Sequence, residues 1–105
     1  MVEILGSIPS GPIHMISRPL SQLRSRITAI DDRLVQLLAK RFSTAGKIAT
    51  LKKEGGVALV DARRQKEILM RVRKLSRKNG ISPLIAQRIF RKIITESEIF
   101  MKHGT

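Results

Sequence analysis

A long stretch without Pro, residues 20–53, constrains what this chain can fold into. Its apolar side chains recur at intervals of three and four residues, the spacing of an amphipathic helix. They are Leu20, Leu23, Ile27, Ile30, Leu34, Leu38, Ala45 and Ile48. At about 1.5 Å per residue, a single helix over this stretch is about 50 Å long. That length exceeds the diameter of a small domain, so we expect a partner chain to cover much of the apolar face.

Two cations lie where this helix should be apolar. At about 100° per residue, Arg41 falls about 20° from Leu34, and Lys52 falls about 20° from Ala45. A cation on an apolar stripe is costly unless it is paired. Each could extend past its neighbours to solvent, or pair with an acid such as Glu67. Because the chain has 21 Lys and Arg against eight Asp and Glu, a bound anion is a competing interpretation.

Composition bounds the class of protein. The 105 residues carry a net charge of +13 and include three Phe, no Tyr, no Trp and no Cys. Few aromatic residues, many aliphatic ones and long periodic segments predict an all-α fold. The absence of Cys excludes disulfides and thiolate chemistry, and His14 and His103 are too far apart in sequence to suggest a metal site. We find no membrane span and no signal peptide, so we expect a cytoplasmic protein.

The first predicted element is a leader followed by the long helix. Residues 1–18 contain Gly and Pro breakers and predict a flexible N-terminal extension, ahead of one helical domain over residues 19–105. Either Ser17 or Ser21 is expected to cap the long helix. Gly55 and the glycine after it are expected to end it.

Two shorter helices are predicted after the long one. Asp61 caps a helix over residues 62–78, and Ser82, followed by Pro, begins a third helix that runs to about residue 102. Ser97 and Met101 fall on the apolar side of the third helix. A Met there normally packs in the core, and a Ser normally bonds back to its own helix, with a ligand contact as the alternative.

The basic charge raises the question of nucleic acid. Residues 71–78, RVRKLSRK, could lie along a phosphate backbone. We find no aromatic platform, no zinc-ligand spacing and no recognition-helix turn, so nucleic acid is not the partner we expect. The charge is better explained by a solvated basic face or by attraction of a small anion. A basic helical dimer that binds nucleic acid, and a purely structural dimer, stay as alternatives from other functional classes.

The ordered motifs resemble the all-helical chorismate mutase family. They are LRSRITAIDDRLVQLLAKR at residues 23–41, then Lys52, then DARRQKEIL from Asp61, then ITESEIF in the third helix. The resemblance covers roughly residues 20–102. It implies an intertwined homodimer of three-helix chains, in which the long helices pair and each active site draws on both chains.

The resemblance also implies a reaction, the intramolecular rearrangement of chorismate to prephenate in phenylalanine and tyrosine biosynthesis. It uses no cofactor and no metal. The substrate is a dianion with two carboxylates, which guanidinium forks bind bidentately. Arg41 would hold one carboxylate, and Arg64 would hold the other region of the dianion. Arg24 lies about 80–100° around the helix from Arg41 and Lys52, so it would assist from the partner chain.

The remaining matching residues have implied roles around the reacting bond. Lys52 would place its ammonium at the ether oxygen, where negative charge builds as the C–O bond breaks. Asp61 and Ser97 would line the site through hydrogen bonds. Holding both ends of the substrate in its reactive conformer would supply further rate through orientation.

Two positions depart from the family's pattern. The residue after Arg64 is usually a Glu that accepts a hydrogen bond from the ring hydroxyl of chorismate; here it is Gln65, whose carbonyl can still accept. The position of Met101 usually carries Gln or Glu, which assists at the ether oxygen, and a thioether donates no hydrogen bond. Loss of one such donor typically lowers the rate about 10²–10³-fold, unless a nearby group such as Gln87 or Glu98 compensates.

Because of these two departures, related reactions on the same scaffold stay as alternatives to the rearrangement of chorismate. Relatives on the same scaffold eliminate pyruvate from isochorismate or rearrange 4-amino-4-deoxychorismate, and both Gln65 and Met101 bear on that choice. Some members of the family are weak alone and are activated by a partner enzyme of the pathway, which would also fit an imperfect site.

Overall fold

The computed structural model describes residues 11–104, with side chains described from residue 15 onward. This part of the chain forms three helices and no strand: α1 over Gly11–Glu54, α2 over Ala62–Lys78 and α3 over Pro83–His103. The all-α prediction, with one very long helix, is confirmed. None of the described helices is long and apolar enough to cross a membrane.

The long helix begins earlier than the sequence predicts. Ser17 and Ser21, the predicted caps, both lie inside the helix, because α1 begins at Gly11 and continues through Pro19. Proline has no amide hydrogen, so the carbonyl of Met15, four residues before it, loses its usual partner. Because Met15 is 78% exposed, water can bond to that carbonyl and the helix tolerates the proline. The later part of the expected extension is therefore helical, while its first ten residues lie outside the described residues.

A hydrogen-bonded glycine turn ends α1. The amide of Val57 donates to the carbonyl of Lys52 at 2.7 Å, and the amide of Gly56 donates to the carbonyl of Lys53 at 3.2 Å. This pair of bonds is the Schellman motif, in which the glycine takes a left-handed conformation that a Cβ disfavours. Gly56 has a φ of +67°, and Gly80 ends α2 in the same way with a φ of +74°. Both predicted helix ends are confirmed.

Side-chain caps begin the two shorter helices, as predicted. Asp61 Oδ1 accepts a hydrogen bond from the amide of Arg64 at 3.0 Å. Ser82 Oγ accepts one from the amide of Ile85 at 3.5 Å. Each cap satisfies an amide that the first turn of a helix leaves without a partner. The cap at Asp61 also places Arg64 in the first turn of α2.

The chain divides into two compact units, Met1–Ala39 and Lys40–Thr105. In the second unit, the end of α1 packs against α3 through Phe42 and Phe100, whose ring centroids lie 5.4 Å apart. Gly46 lies beside this ring, since a Cβ at that position would be 3.4 Å from Phe100, an ordinary van der Waals contact. Small buried side chains on α1, Ala45 and Ala49, continue the packing.

The predicted buried side of α3 is only partly buried within one chain. Ala86 and Ile94 are buried, but Ile85 and Ile89 remain about half exposed, and so does Leu75 on α2. Sequence periodicity identifies an apolar side and cannot say which neighbour covers it. Within the described part of the single chain, these three side chains therefore have no full apolar cover.

The part of α1 in the first unit carries a longer uncovered stripe. Five large aliphatic residues at helical spacing are between 38% and 59% exposed in the single chain: Leu23, Ile27, Ile30, Leu34 and Leu38. Exposed apolar area of this extent is typical of an interface. We therefore keep the sequence-based expectation that a second copy of the chain covers it.

We expect the wild-type protein to sediment as a dimer, and Leu34→Asp to dissociate or unfold at the same concentration. Each buried Leu stabilises by about 1.5–3 kcal/mol, and an unpaired buried carboxylate adds a further cost. Gln36→Asp is the matched control, because residue 36 lies about 200° around the helix from residue 34. A stable folded wild-type monomer, or a Leu34→Asp dimer as tight as wild type, would contradict the expectation.

Candidate functional site

The second unit contains a cavity of about 480 Å³ lined by all three helices and the connector between α1 and α2. This volume is in the range of small-molecule sites. Its walls combine cations, carboxylates, hydroxyls and aliphatic side chains. The lining residues are Lys40, Arg41, Thr44, Ala45, Ile48, Lys52, Leu59, Asp61, Arg64, Gln65, Ile68, Ile94, Ser97, Glu98 and Met101.

The structure brings seven of the eight predicted site residues to this one cavity: Arg41, Lys52, Asp61, Arg64, Gln65, Ser97 and Met101. The eighth, Arg24, belongs to the first unit and is not among the lining residues. These positions come from α1, the start of α2 and the end of α3, so they are far apart in sequence. Their roles toward a ligand remain proposals.

Arg41 is held across the cavity by Ser97. Arg41 Nη1 donates to Ser97 Oγ at 2.7 Å, and Ser97 is buried. The hydroxyl of Ser97 therefore accepts a bond from another helix, whereas a Ser in a helix commonly bonds back to its own. Because this bond fixes the guanidinium of Arg41, the remaining N–H groups of that guanidinium are held in one orientation in the cavity wall.

The cavity is electrostatically suited to an anion. Burial of the guanidinium, and then the positive charge of Arg64, lower the pKa of Arg41 below its ordinary value. An arginine starts so high that Arg41 stays protonated, but the direction shows that its charge is poorly compensated. Glu67 does not relieve it, because Glu67 pairs with Arg63 and Arg64. An anion between the guanidiniums of Arg41 and Arg64 would be stabilised by both.

Lys52 is placed by the turn that ends α1. Its backbone carbonyl accepts the amide of Val57, and its Nζ donates to the carbonyl of Leu59 at 3.3 Å. The connector thus folds back over the lysine and supplies Leu59 to the cavity wall. An ammonium has three donors, so this single bond leaves Lys52 able to address a ligand.

Arg64 reaches the cavity from the first turn of α2. Its Nη1 donates to Glu67 Oε1 at 3.4 Å, and both side chains are more than half exposed. An exposed ion pair of this kind contributes little, typically about 0–1 kcal/mol. The pair with Glu67 therefore does not prevent the guanidinium of Arg64 from turning toward an anion in the cavity.

Sequence reasoning missed part of the lining and misplaced one candidate. Lys40 was not singled out, although it directly precedes Arg41. Gln87, considered as a compensating group for Met101, donates to the carbonyl of Leu69 at 3.3 Å and is not among the lining residues. Glu98, the other compensating candidate, does line the cavity. In the described part of the chain, no group of three or more His, Cys, Asp or Glu could hold a metal ion.

Removing the Ser97 hydroxyl should destabilise the second unit. We expect Ser97→Ala to lower the free energy of unfolding by about 1.5–3 kcal/mol, because a part-buried guanidinium loses a hydrogen bond. Thr95→Ala is the control: its hydroxyl, on the same helix, donates to the carbonyl of Arg91 on the exposed side, and its loss should cost within about 0.5 kcal/mol. Urea denaturation at one protein concentration measures both. Equal losses would show that the Arg41–Ser97 bond does not stabilise the fold.

Comparison with known proteins finds similarity to one enzyme family. A family model for chorismate mutase type II matches residues 23–101. The chorismate mutase of Methanocaldococcus jannaschii is 31% identical over 83 residues, which cover 79% of this chain and 84% of the archaeal protein. The bifunctional chorismate mutase/prephenate dehydratase of Buchnera aphidicola subsp. Schizaphis graminum is 36% identical over 79% of this chain, but over only 22% of its own length.

The T-protein of Haemophilus influenzae is also similar, with 31% identity over 74% of this chain and 21% of the T-protein. The chain therefore spans most of the archaeal relative and about a fifth of the two longer ones. The family match runs through all three helices and includes every predicted site residue. The chain belongs to the chorismate mutase type II family.

Proposed function

We propose that this chain is a chorismate mutase that rearranges chorismate to prephenate. The observation that carries the proposal is the cavity at which Arg41, Lys52 and Arg64 meet, in a chain that belongs to this family. The chain also covers 84% of a relative named chorismate mutase. A dianion of the size of chorismate suits the charge and the volume of the cavity.

Two guanidiniums orient the substrate. Arg41, fixed by Ser97 at 2.7 Å, binds one carboxylate of chorismate. Arg64 leaves its exposed pair with Glu67 and binds the other region of the dianion. Bidentate guanidinium–carboxylate bonds fix direction as well as distance. The substrate is then held in the compact conformer in which the bond that forms and the bond that breaks lie close together.

Lys52 stabilises the transition state. As the C–O bond breaks, electron density builds on the ether oxygen, and an ammonium directed at that oxygen is worth more in the transition state than in the ground state. Lys52 Nζ donates to the carbonyl of Leu59 at 3.3 Å. The other two N–H groups of the ammonium are available to the ether oxygen. No covalent intermediate or proton transfer is needed.

A homodimer completes the site. The uncovered stripe of α1 from Leu23 to Leu38 supports pairing of the long helices of two chains. Arg24 lies within this stretch and is not among the residues that line the cavity of its own chain. In the dimer, the partner subunit's Arg24 assists Arg41 at the first carboxylate.

Gln65 and Met101 make this a weaker site than the family's usual pattern. Both residues line the cavity. Gln65 keeps a carbonyl that can accept a hydrogen bond, but Met101 supplies no donor at the ether oxygen. We therefore propose a slow enzyme in which Lys52 alone addresses that oxygen, and whose turnover an activating enzyme of the same pathway would raise.

The direct test is loss of the ultraviolet absorbance of the chorismate diene on addition of purified protein, with the product identified by mass. Formation of prephenate, abolished by Arg41→Ala, supports the proposal. Pyruvate released from isochorismate, or rearrangement of 4-amino-4-deoxychorismate without turnover of chorismate, would move the chain to one of those reactions. Inactivity with all three substrates would overturn the proposal.

Restoring a donor at residue 101 should speed the reaction. We expect Met101→Gln to raise kcat for chorismate about tenfold or more, because one donor at a developing oxyanion typically contributes about 10²–10³-fold. Met70→Gln is the matched control, since Met70 is exposed on α2 and does not line the cavity. If Met101→Gln is no faster while Lys52→Ala abolishes activity, residue 101 does not face the ether oxygen.

A further inference from the structure

Glu98 is a carboxylate that the mechanism does not use. It lies on α3, half-buried, in the wall of the cavity. Four cations line the same cavity: Lys40, Arg41, Lys52 and Arg64. Despite this basic surrounding, Glu98 makes no hydrogen bond or ion pair with any residue in the described part of the chain.

The neighbouring carboxylates have partners. Asp61 caps α2 through the amide of Arg64 at 3.0 Å. On α3, Glu96 pairs with Lys92 at 3.0 Å. Lys102 stands four residues after Glu98, at the spacing of a helical ion pair, but it is exposed and no such pair forms between these two described residues. Glu98 is thus available to a ligand.

A carboxylate such as Glu98 is unexpected in a site that binds a dianion, because like charges repel. The four cations outnumber the two lining carboxylates, so the cavity still attracts an anion while Glu98 is ionised. At neutral pH a glutamate carboxylate accepts hydrogen bonds and donates none. Toward the carboxylates of the substrate, Glu98 is only repulsive. Its useful partner is therefore a hydrogen-bond donor on the substrate.

Glu98 lies on α3 next to two other residues of the cavity wall. Ser97, which binds Arg41, is the preceding residue, and Met101 follows three residues later on a neighbouring part of the helix surface. Gln65 lines the same cavity from α2. The cavity wall thus has an amide on α2 and, among the described residues, an unpaired acid on α3.

We infer that Glu98 accepts a hydrogen bond from a donor on the substrate's ring, either a hydroxyl or an ammonium group, and so sets which ring substituent the site prefers. The inference rests on the proposed function of the same cavity. A hydroxyl needs only a hydrogen-bond acceptor there, whereas an ammonium also needs a negative charge. Glu98→Gln keeps an acceptor oxygen but removes the negative charge. The effect of this variant therefore distinguishes a hydroxyl from an ammonium.

The test compares kcat/KM for Glu98→Ala, Glu98→Gln and the control Glu96→Ala. The substrates are chorismate, 4-amino-4-deoxychorismate and the 4-deoxy analogue that has no ring donor. We expect Glu98→Ala to lower kcat/KM about 10- to 100-fold for the substrate whose donor it binds, the effect of losing a bond to a charged group. It should not lower kcat/KM for the 4-deoxy analogue, because that substrate loses only the repulsion between Glu98 and its carboxylates. Glu96→Ala should match wild type on all three.

The pattern with Glu98→Gln identifies the donor. A loss of only a few-fold with chorismate indicates a hydroxyl, and a loss as large as that of Glu98→Ala with the amino substrate indicates an ammonium. Unchanged or raised kcat/KM of Glu98→Ala with both chorismate and the amino substrate, or a loss with the 4-deoxy analogue as large as theirs, overturns the inference while the proposed function stands. Wild-type inactivity on chorismate and the amino substrate overturns both.

Discussion

A single helix with more apolar surface than its own chain can cover is the constraint on which this structure depends. The leucines and isoleucines of α1 from Leu23 to Leu38 remain exposed, and so do Ile85 and Ile89 on α3. Burying a large aliphatic side chain contributes about 1.5–3 kcal/mol. The core within one chain consists largely of small residues such as Ala45 and Ala49. Any association that covered these exposed side chains would therefore stabilise the fold.

The same helix bears the two cations that begin the site. Arg41 and Lys52 occupy positions where periodicity predicts apolar residues, which is unfavourable for stability alone. Ser97 and the carbonyl of Leu59 each satisfy one donor of these groups. The protein thus keeps two cations in the wall of the cavity of its second unit. Such local conflict between burial and charge is expected at functional sites rather than in the surrounding scaffold.

Much of this could be predicted from the sequence because the signals are local. Asp61, Ser82 and the glycines that follow α1 and α2 determine helix ends through hydrogen bonds within a few residues. The periodicity of α1 also places Arg41 and Lys52 on one face. The predicted start of α1 was wrong. Pro19 lies inside the helix because the carbonyl it leaves without a partner is exposed to water, and that exposure depends on packing that the local sequence does not reveal.

What could not be predicted depends on how the helices pack. The sequence suggests Glu98 only as a compensating group for Met101, and it is the packing of α3 that places Glu98 in the wall of a cavity lined by four cations. The bond from Arg41 to Ser97 joins residues 56 positions apart, beyond the reach of any pattern within one helix. The same holds for Gln87, which bonds to a carbonyl of α2 instead of reaching the cavity.

Gly46 links the stability of the scaffold to the geometry of the chemistry. A glycine inside a helix costs about 0.8–1.0 kcal/mol relative to alanine, so α1 is less stable with Gly46 than it would be with alanine at this position. An alanine Cβ would meet the ring of Phe100 at 3.4 Å, an ordinary contact, whereas a longer side chain would push the ring away. Phe100 directly precedes Met101, so displacement of the ring would shift the cavity wall. Selection for heat resistance alone would favour alanine here. A bulkier side chain would also favour the helix over glycine, but it would move the cavity wall at Met101.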